Sequence, residues 1–131
     1  MLVVEDEPDS LEVAERILKF HGATVLTATN GREGLARAKT DHPKLILSDI
    51  SMPVLDGWGL IYELKQDRAM MGIPVIALTA HAMVGDRERA ISAGFHNYLT
   101  KPLTSKSFVT DLLKLLIDIP EFVAESSEEQ S

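Results

Sequence analysis

The segment Leu45–Gly57, LILSDISMPVLDG, decides how this chain folds. It opens with a mainly apolar run, typical of a buried strand, that ends on the carboxylate of Asp49. Pro53 and the pair Asp56-Gly57 then indicate a turn. A buried charge is costly unless it is paired or binds a cation. Asp49 is therefore either a turn residue that happens to stand there or a carboxylate kept for chemistry.

Composition indicates one ordinary globular domain. The chain has 131 residues, of which 45% are hydrophobic and 25% charged, and this length can bury a sizeable core. The absence of cysteine excludes a disulfide framework, a thiolate nucleophile and a cysteine-based zinc site. A net charge of −7 argues against non-specific binding to nucleic acid or an anionic membrane. No apolar run is long enough for a membrane span, and the acidic start is unlike a signal peptide, so we expect a cytoplasmic protein.

Short apolar runs alternate with amphipathic stretches along the chain. The apolar runs predict five strands: Leu2–Val4, Thr24–Ala28, Leu45–Ser48, Pro74–Leu78 and Asn97–Leu99. The amphipathic stretches predict five helices: Asp9–His21, Gly31–Asp41, Trp58–Asp67, Val84–Ala93 and Ser105–Ile117. Five such pairs indicate an α/β fold, a doubly wound parallel sheet with helices on both faces.

Several residues predict where helices begin and end. Asn30 with Glu33 three residues later resembles a capping box at the start of the second helix. Thr104 can cap the fifth helix, and Gly22 and Gly94 supply stops for the first and fourth.

The remaining features give no second folding unit. We assign residues 1–118 to one domain and 119–131, which ends in AESSEEQS, to an acidic, disordered tail. Trp58 and Phe20 are interpreted as ordinary packing residues. The four histidines lack metal-ligand spacing and are interpreted as surface or packing residues: His21, His42, His81 and His96.

Polar residues follow four of the predicted strands. Because parallel strands end at the same edge of a sheet, about 4.8 Å apart, these side chains can converge on one site. Glu5, Asp6 and Asp49 offer hard oxygen ligands that suit Mg²⁺. Thr79 can donate a hydrogen bond to a phosphate, and Lys101 can pair with it. Each residue alone has an ordinary reading as a turn carboxylate, a strand-end hydroxyl, a surface lysine or an acidic helix start, but together they favour a functional site.

The chain resembles the receiver domain of two-component response regulators from Leu2 to Ile117. Four motifs carry the resemblance, in the family's order and at its separations: LVVEDE, LILSDISMPVLDG, VIALTA and YLTKP. The resemblance implies a flavodoxin-like, five-stranded parallel sheet of order 2-1-3-4-5. It also implies a switch activated by phosphorylation rather than an enzyme that turns over an external substrate.

The resemblance assigns a role to each site residue. Asp49 would be the phosphoacceptor, Asp6 the main Mg²⁺ ligand, and the backbone carbonyl of Ser51 a further ligand. Glu5 would assist, through water, because many members carry Asp there. The resemblance also implies that Thr79 and Lys101 contact the phosphoryl group and that Tyr98 is the switch aromatic. Ser51 and His81 would influence the lifetime of the phosphoryl group. The Lys101–Pro102 peptide would be cis.

Partners follow from the same resemblance. A sensor histidine kinase or a histidine phosphotransfer protein would supply the phosphoryl group. A downstream protein or effector domain would read the surface of the fourth helix, fifth strand and fifth helix. The apolar stripe on the fifth helix is wide enough for a partner or a phosphorylation-dependent homodimer: Val109, Leu113 and Ile117.

Two alternatives come from other classes. A haloacid-dehalogenase-type phosphatase also uses a strand-end Asp, Mg²⁺ and Lys, but it needs a second Asp two residues after the nucleophile. Ser51 occupies that place, which argues against it. A degenerate receiver that serves only as a binding module would lack the acidic pair, the acceptor or the lysine, and all are present.

Overall fold

The computed structural model describes residues 1–79, 85–100, 110–112 and 114. Strands and helices alternate along the chain: β1 Leu2–Val4, α1 Pro8–Phe20, β2 Leu26–Ala28, α2 Gly31–Asp41, β3 Ile46–Asp49, α3 Gly57–Gln66, β4 Val75–Thr79, α4 Asp86–Ala93 and β5 Asn97–Thr100. Residues 110–112 and 114 are helical and fall within the predicted fifth helix. Among the described residues, no helix is long and apolar enough to cross a membrane.

The five strands form one parallel sheet in the order β2-β1-β3-β4-β5, which confirms the predicted fold. Alternate residues of each strand point to opposite faces. One face packs against α2, α3 and α4, and its buried strand residues include Leu2, Val4, Ile46 and Ala77. The other packs against α1 and Leu112, and its strand residues include Val3, Leu47, Ile76 and Leu78.

The element bounds differ from the predictions by one or two residues, except for β1 and α2, which match. α1 begins at Pro8, because proline has no N–H to satisfy in a first helical turn. β2 is two residues shorter than predicted. Asp49 and Thr79, predicted to follow their strands, are the last residues of β3 and β4. The ladder runs on because Ile50 N–H donates to the Leu78 carbonyl at 3.1 Å.

Asn30, Gly22 and Gly94 stand at helix ends as predicted, but the capping box at α2 is only half formed. Asn30 Oδ1 accepts from the Glu33 N–H at 2.8 Å. Glu33 Oε2 in turn accepts from the Thr29 hydroxyl at 2.8 Å, one residue earlier than in a capping box. Gly22 and Gly94 follow α1 and α4 with φ of 88° and 116°, where a side chain would be strained.

One packing prediction is wrong. Phe20 is 86% exposed, because the last residue of α1 lies off the apolar stripe that Ala14 and Leu18 bury. Trp58 does pack on the core. Its ring contacts the Phe95 ring edge to face, with 5.7 Å between the centroids, and the Arg89 guanidinium lies 4.4 Å from the centroid of the indole ring.

Three of the histidines, His21, His42 and His96, are exposed, as expected for surface residues. Several predictions fall outside the described residues: those on His81, the Lys101–Pro102 peptide, Thr104, the stripe at Val109, Leu113 and Ile117, and the tail at 119–131.

Candidate functional site

The site begins with the register of two central strands. β1 pairs with β3 through Val4 and Ser48, so Glu5 and Asp49 follow at the same level of the sheet. Glu5 stays attached to the ladder, since its N–H donates to the Ala28 carbonyl at 3.0 Å. The parallel strands therefore deliver both carboxylates to the carboxyl edge of the sheet, where ligands of such sheets bind.

Three carboxylates meet at this edge. Each of Glu5, Asp6 and Asp49 offers an oxygen, and these oxygens all lie within 4.8 Å of one another. Glu5 and Asp49 are buried, at 0% and 6% exposure, whereas Asp6 is exposed. Two negative charges at that separation repel by about 3 kcal/mol at an effective dielectric constant of about 20. A cation held among them would offset this repulsion.

The donor set fits Mg²⁺. All three donors are hard carboxylate oxygens, with no nitrogen or sulfur among the group. Mg²⁺ is usually held by one or two carboxylates and keeps water for its other positions. One exposed and two buried carboxylates provide such an open site, whereas a structural zinc site would use thiolates or imidazoles.

A tight turn follows Asp49. Ser51 N–H approaches Asp49 Oδ1 at 3.4 Å, a long hydrogen bond. Leu55 N–H donates to the Pro53 carbonyl at 2.8 Å, and Val54 between them has φ of 70°. This is a γ-turn with positive φ, which is rare and strained, and a β-branched residue adds to the strain. The last residue of the turn is bonded to the start of α2, since the Leu55 carbonyl accepts from the Gly31 N–H at 3.0 Å.

The first residue of α3 lies directly against the backbone of the phosphoacceptor candidate. Gly57 N–H donates to the Ile50 carbonyl at 2.8 Å. A Cβ at Gly57 would lie 2.6 Å from the Asp49 carbonyl oxygen and 2.7 Å from Ile50 Cα. Only glycine permits this approach, so α3 is seated on the end of β3 and helps to fix the position of Asp49.

Of the other predicted site residues, Thr79 and Ser51 lie near this edge and Tyr98 lies further down the sheet. Thr79 ends β4, one residue beyond the Leu78 that pairs with Asp49. Tyr98 is half-buried on β5, where it pairs with Ala77 and packs on the core. Ser51 is exposed in the turn after Asp49. Lys101 follows Thr100, the last residue of β5, and lies outside the described residues.

Sequence reasoning missed three features around the site. The positive φ of Val54 leaves no mark in the sequence, because valine is an unfavourable choice there. The contact of Arg89 with Trp58 joins residues 31 positions apart, which periodicity cannot reveal. The pair Asp56-Gly57 at the start of α3 is visible in the sequence as a turn signal, but the sequence does not show that the glycine is required by its contact with Asp49.

The chain is similar to known proteins of one family. The family model for the response regulator receiver domain matches residues 1–113. An uncharacterised 14.6 kDa protein of Leptolyngbya boryana is 41% identical over 103 residues, 79% of each chain. The polar-differentiation response regulator DivK of Brucella ovis is 34% identical over 118 residues, 90% of this chain and 96% of DivK.

One solved structure is similar to this chain in both fold and sequence. The receiver domain of the sensor histidine kinase PA1611 from Pseudomonas aeruginosa, which has a magnesium ion coordinated in its active-site cleft, is 34% identical with a TM-score of 0.79. The match covers 90% of this chain and 93% of that one. This chain also matches 47% of the length of the protein named "Probable transcriptional regulator ycf27" from Cyanophora paradoxa, so a domain of this kind can be part of a longer protein.

The contact at Gly57 predicts an unusual response to alanine. Replacing glycine by alanine normally stabilises a compatible site by about 0.4–1 kcal/mol, because the unfolded chain loses freedom. Gly57→Ala should instead lower the free energy of unfolding by about 1–3 kcal/mol, since its Cβ would overlap backbone that cannot move aside. Urea denaturation measures the change.

Gly72→Ala is the matched control, because a Cβ there meets nothing within 4 Å. It should change stability by less than about 0.5 kcal/mol. If Gly57→Ala is as stable as Gly72→Ala, the close seating of α3 on β3 is wrong.

Proposed function

The chain belongs to the response regulator receiver domain family, and on this basis we propose that Asp49 accepts a phosphoryl group from a phosphohistidine. A receiver domain is a phosphoryl-accepting switch of two-component signalling, not an enzyme that turns over an external substrate. The observation that carries the proposal is the cluster of Glu5, Asp6 and Asp49 oxygens within 4.8 Å at the carboxyl edge.

The chemistry uses Asp49 as a nucleophile. One of its carboxylate oxygens attacks phosphorus, a P–O bond forms, and the P–N bond to the donor imidazole breaks with its electron pair leaving on nitrogen. The product is an acyl phosphate, which water can hydrolyse, so the signal has a limited lifetime. The hydrogen bonds at Ile50, Ser51 and Gly57 hold the backbone around Asp49, so little reorganisation is needed for attack.

We assign Mg²⁺ to the three carboxylates and the Ser51 carbonyl. Asp6 and Asp49 would be direct ligands, and Glu5 would assist, through water. When bound, the ion offsets the negative charge that accumulates as a phosphoryl group nears a carboxylate. The magnesium in the PA1611 receiver domain, and the oxygen-only donor set of this chain, both support the assignment.

Two residues would hold the transferred group, and one would respond to it. Thr79 at the end of β4 would donate its hydroxyl to a phosphoryl oxygen, and Lys101 would pair with the charge. Movement of Thr79 would open space for the Tyr98 ring on the neighbouring strand. The state with the ring inward would alter the surface of α4, β5 and the fifth helix, and only a few kcal/mol need separate the two states.

The remaining proposals concern partners and organisation. Receiver domains exchange phosphoryl groups with histidine kinases and act on downstream effectors. For this chain we propose a sensor kinase or phosphotransfer protein as donor, a protein or effector domain as target, and a phosphorylation-dependent homodimer as one form of output. We also propose the cytoplasm as its location, residues 1–118 as the receiver and 119–131 as an acidic tail.

Asp49→Asn tests the acceptor. Incubation with acetyl phosphate and Mg²⁺ should add one phosphoryl group to the wild type and none to the variant, because the amide is a poor nucleophile. Intact mass spectrometry measures the product. Asp41→Asn, an exposed carboxylate of α2, is the control and should be labelled like the wild type. Labelling of Asp49→Asn to the wild-type extent would contradict the assignment.

Asp6→Asn tests the metal. Removal of a direct carboxylate ligand should weaken Mg²⁺ binding by roughly tenfold or more. The single tryptophan, Trp58, provides a fluorescence signal close in sequence to Asp49, and NMR shifts at Glu5 and Ile50 provide a second. Asp9→Asn, exposed in the first turn of α1, is the control. Equal titration curves for the wild type and Asp6→Asn would show that Asp6 is not a ligand.

Thr79→Ala tests the switch. The variant should still bind beryllofluoride, a phosphoryl mimic, at Asp49, because the carboxylates remain. The NMR shift changes that beryllofluoride causes around Tyr98 and α4 in the wild type should largely disappear in the variant, since the hydroxyl that contacts the bound group is gone. Thr100→Ala is the control, because Thr100 pairs with Thr79 in the sheet but is exposed. Equal shifts in the wild type and Thr79→Ala would mean that another residue transmits the change.

A further inference from the structure

A second concave site lies at the opposite edge of the sheet. A cavity of about 320 Å³ opens between the loop that enters β3 and the loop that enters β4. Its walls include His42, Pro43 and Lys44 from the first loop and Arg68, Gly72 and Ile73 from the second. Both loops precede their strands, whereas Asp49 ends its strand, so this cavity is separate from the carboxylate cluster.

The charge of the cavity differs from that of the chain. The net charge of the chain is −7, yet the cavity is lined by Lys44, Arg68 and the imidazole of His42. Among the described residues that line it, none is Asp or Glu. Basic side chains gathered in a concavity raise the local concentration of anions.

Local hydrogen bonds fix both walls. The second loop begins with Asp67 Oδ1 accepting from the Ala69 N–H at 2.8 Å. Lys65 Nζ donates to the Met71 carbonyl at 2.9 Å, and Met70 is buried. On the other side, His42 has φ of 46° and its N–H donates to the Ala38 carbonyl, which turns the chain sharply after α2. The cavity is therefore formed without a ligand, which lowers the entropic cost of binding.

We propose that this cavity binds a small organic phosphate. Arg68 supplies a planar guanidinium, which matches the oxygens of a phosphate in geometry and charge. Lys44 adds a second cationic side chain to the lining, and the imidazole of His42 adds a nitrogen that can hydrogen-bond to a phosphate oxygen. Pro43 and Ile73 provide apolar surface for the organic part, and the volume is at the small end of ligand sites. The proposal does not depend on phosphorylation of Asp49.

Gly72 provides a direct test. It lines the cavity, a Cβ there meets nothing within 4 Å, and its φ is not positive. Gly72→Asp therefore adds a negative charge to the cavity without disturbing the fold, and Gly72→Ala adds only a methyl group. The probe is phenyl phosphate, titrated into the full chain in EDTA and followed by amide NMR shifts. Inorganic phosphate and phenol, run in parallel, separate the contributions of charge and ring.

We expect saturable amide shifts at His42, Lys44 and residues 68–73, tighter binding of phenyl phosphate than of inorganic phosphate, and no saturable binding of phenol. Gly72→Asp should weaken binding by roughly tenfold or more, through charge repulsion, and Arg68→Gln should weaken it too. Gly72→Ala should bind within about twofold of wild type, since surface changes of this kind have small effects. All variants should still be phosphorylated at Asp49, so failure here and failure of the proposed function are distinguishable. Absence of saturable shifts in the two loops, or equal binding by Gly72→Asp and Gly72→Ala, would overturn the proposal.

Discussion

The register of β1 against β3 is the constraint on which the site depends. Side chains alternate between the faces of a strand, so a slip of one residue would exchange the two faces. Leu2, Val3 and Val4 are fully buried and belong to two apolar cores on opposite faces, so such a slip would force each side chain into a space that fits another and would move Glu5 away from Asp49. The packing of two cores therefore sets the level at which Glu5 and Asp49 meet. The carboxylates at the edge are positioned by the hydrophobic burial of the strand residues that directly precede them.

The turn after Asp49 shows a second kind of constraint. A β-branched residue at positive φ costs on the order of 1–3 kcal/mol and persists only where the surroundings over-determine it. Three contacts fix the chain around Val54. Leu55 N–H closes the γ-turn, the Leu55 carbonyl accepts from the Gly31 N–H, and Gly57 packs against the Asp49 backbone. The strain is local, and it lies in the segment that must keep Asp49 in place.

The sequence was sufficient for the fold and for the grouping of Glu5, Asp6 and Asp49, and it failed where contacts are not periodic. Strand and helix types followed from apolar spacing, and the edge cluster followed from the geometry of parallel strands. The ends of β3 and β4 were misplaced because the bond from Ile50 N–H to the Leu78 carbonyl keeps Asp49 in β3, and the pairing of Thr79 with Thr100 keeps Thr79 in β4. Phe20 was misassigned because hydrophobicity alone does not say on which side of a helix end a residue lies. The basic cavity joins two loops that are distant in sequence, so only the folded chain reveals it.

The connection from Asp49 to α4 is built of weak contacts. Gly57 touches the Asp49 backbone, Trp58 follows it, and the Trp58 ring carries Arg89 of α4 while packing on Phe95. A partly exposed cation–π contact contributes about 0.5–1 kcal/mol, and an aromatic pair about 0.5–1.5 kcal/mol. A switch driven by one phosphoryl group can redistribute only a few kcal/mol. Contacts of this size can be exchanged within such a range, and they add to the burial of Ala90, which packs α4 on the core.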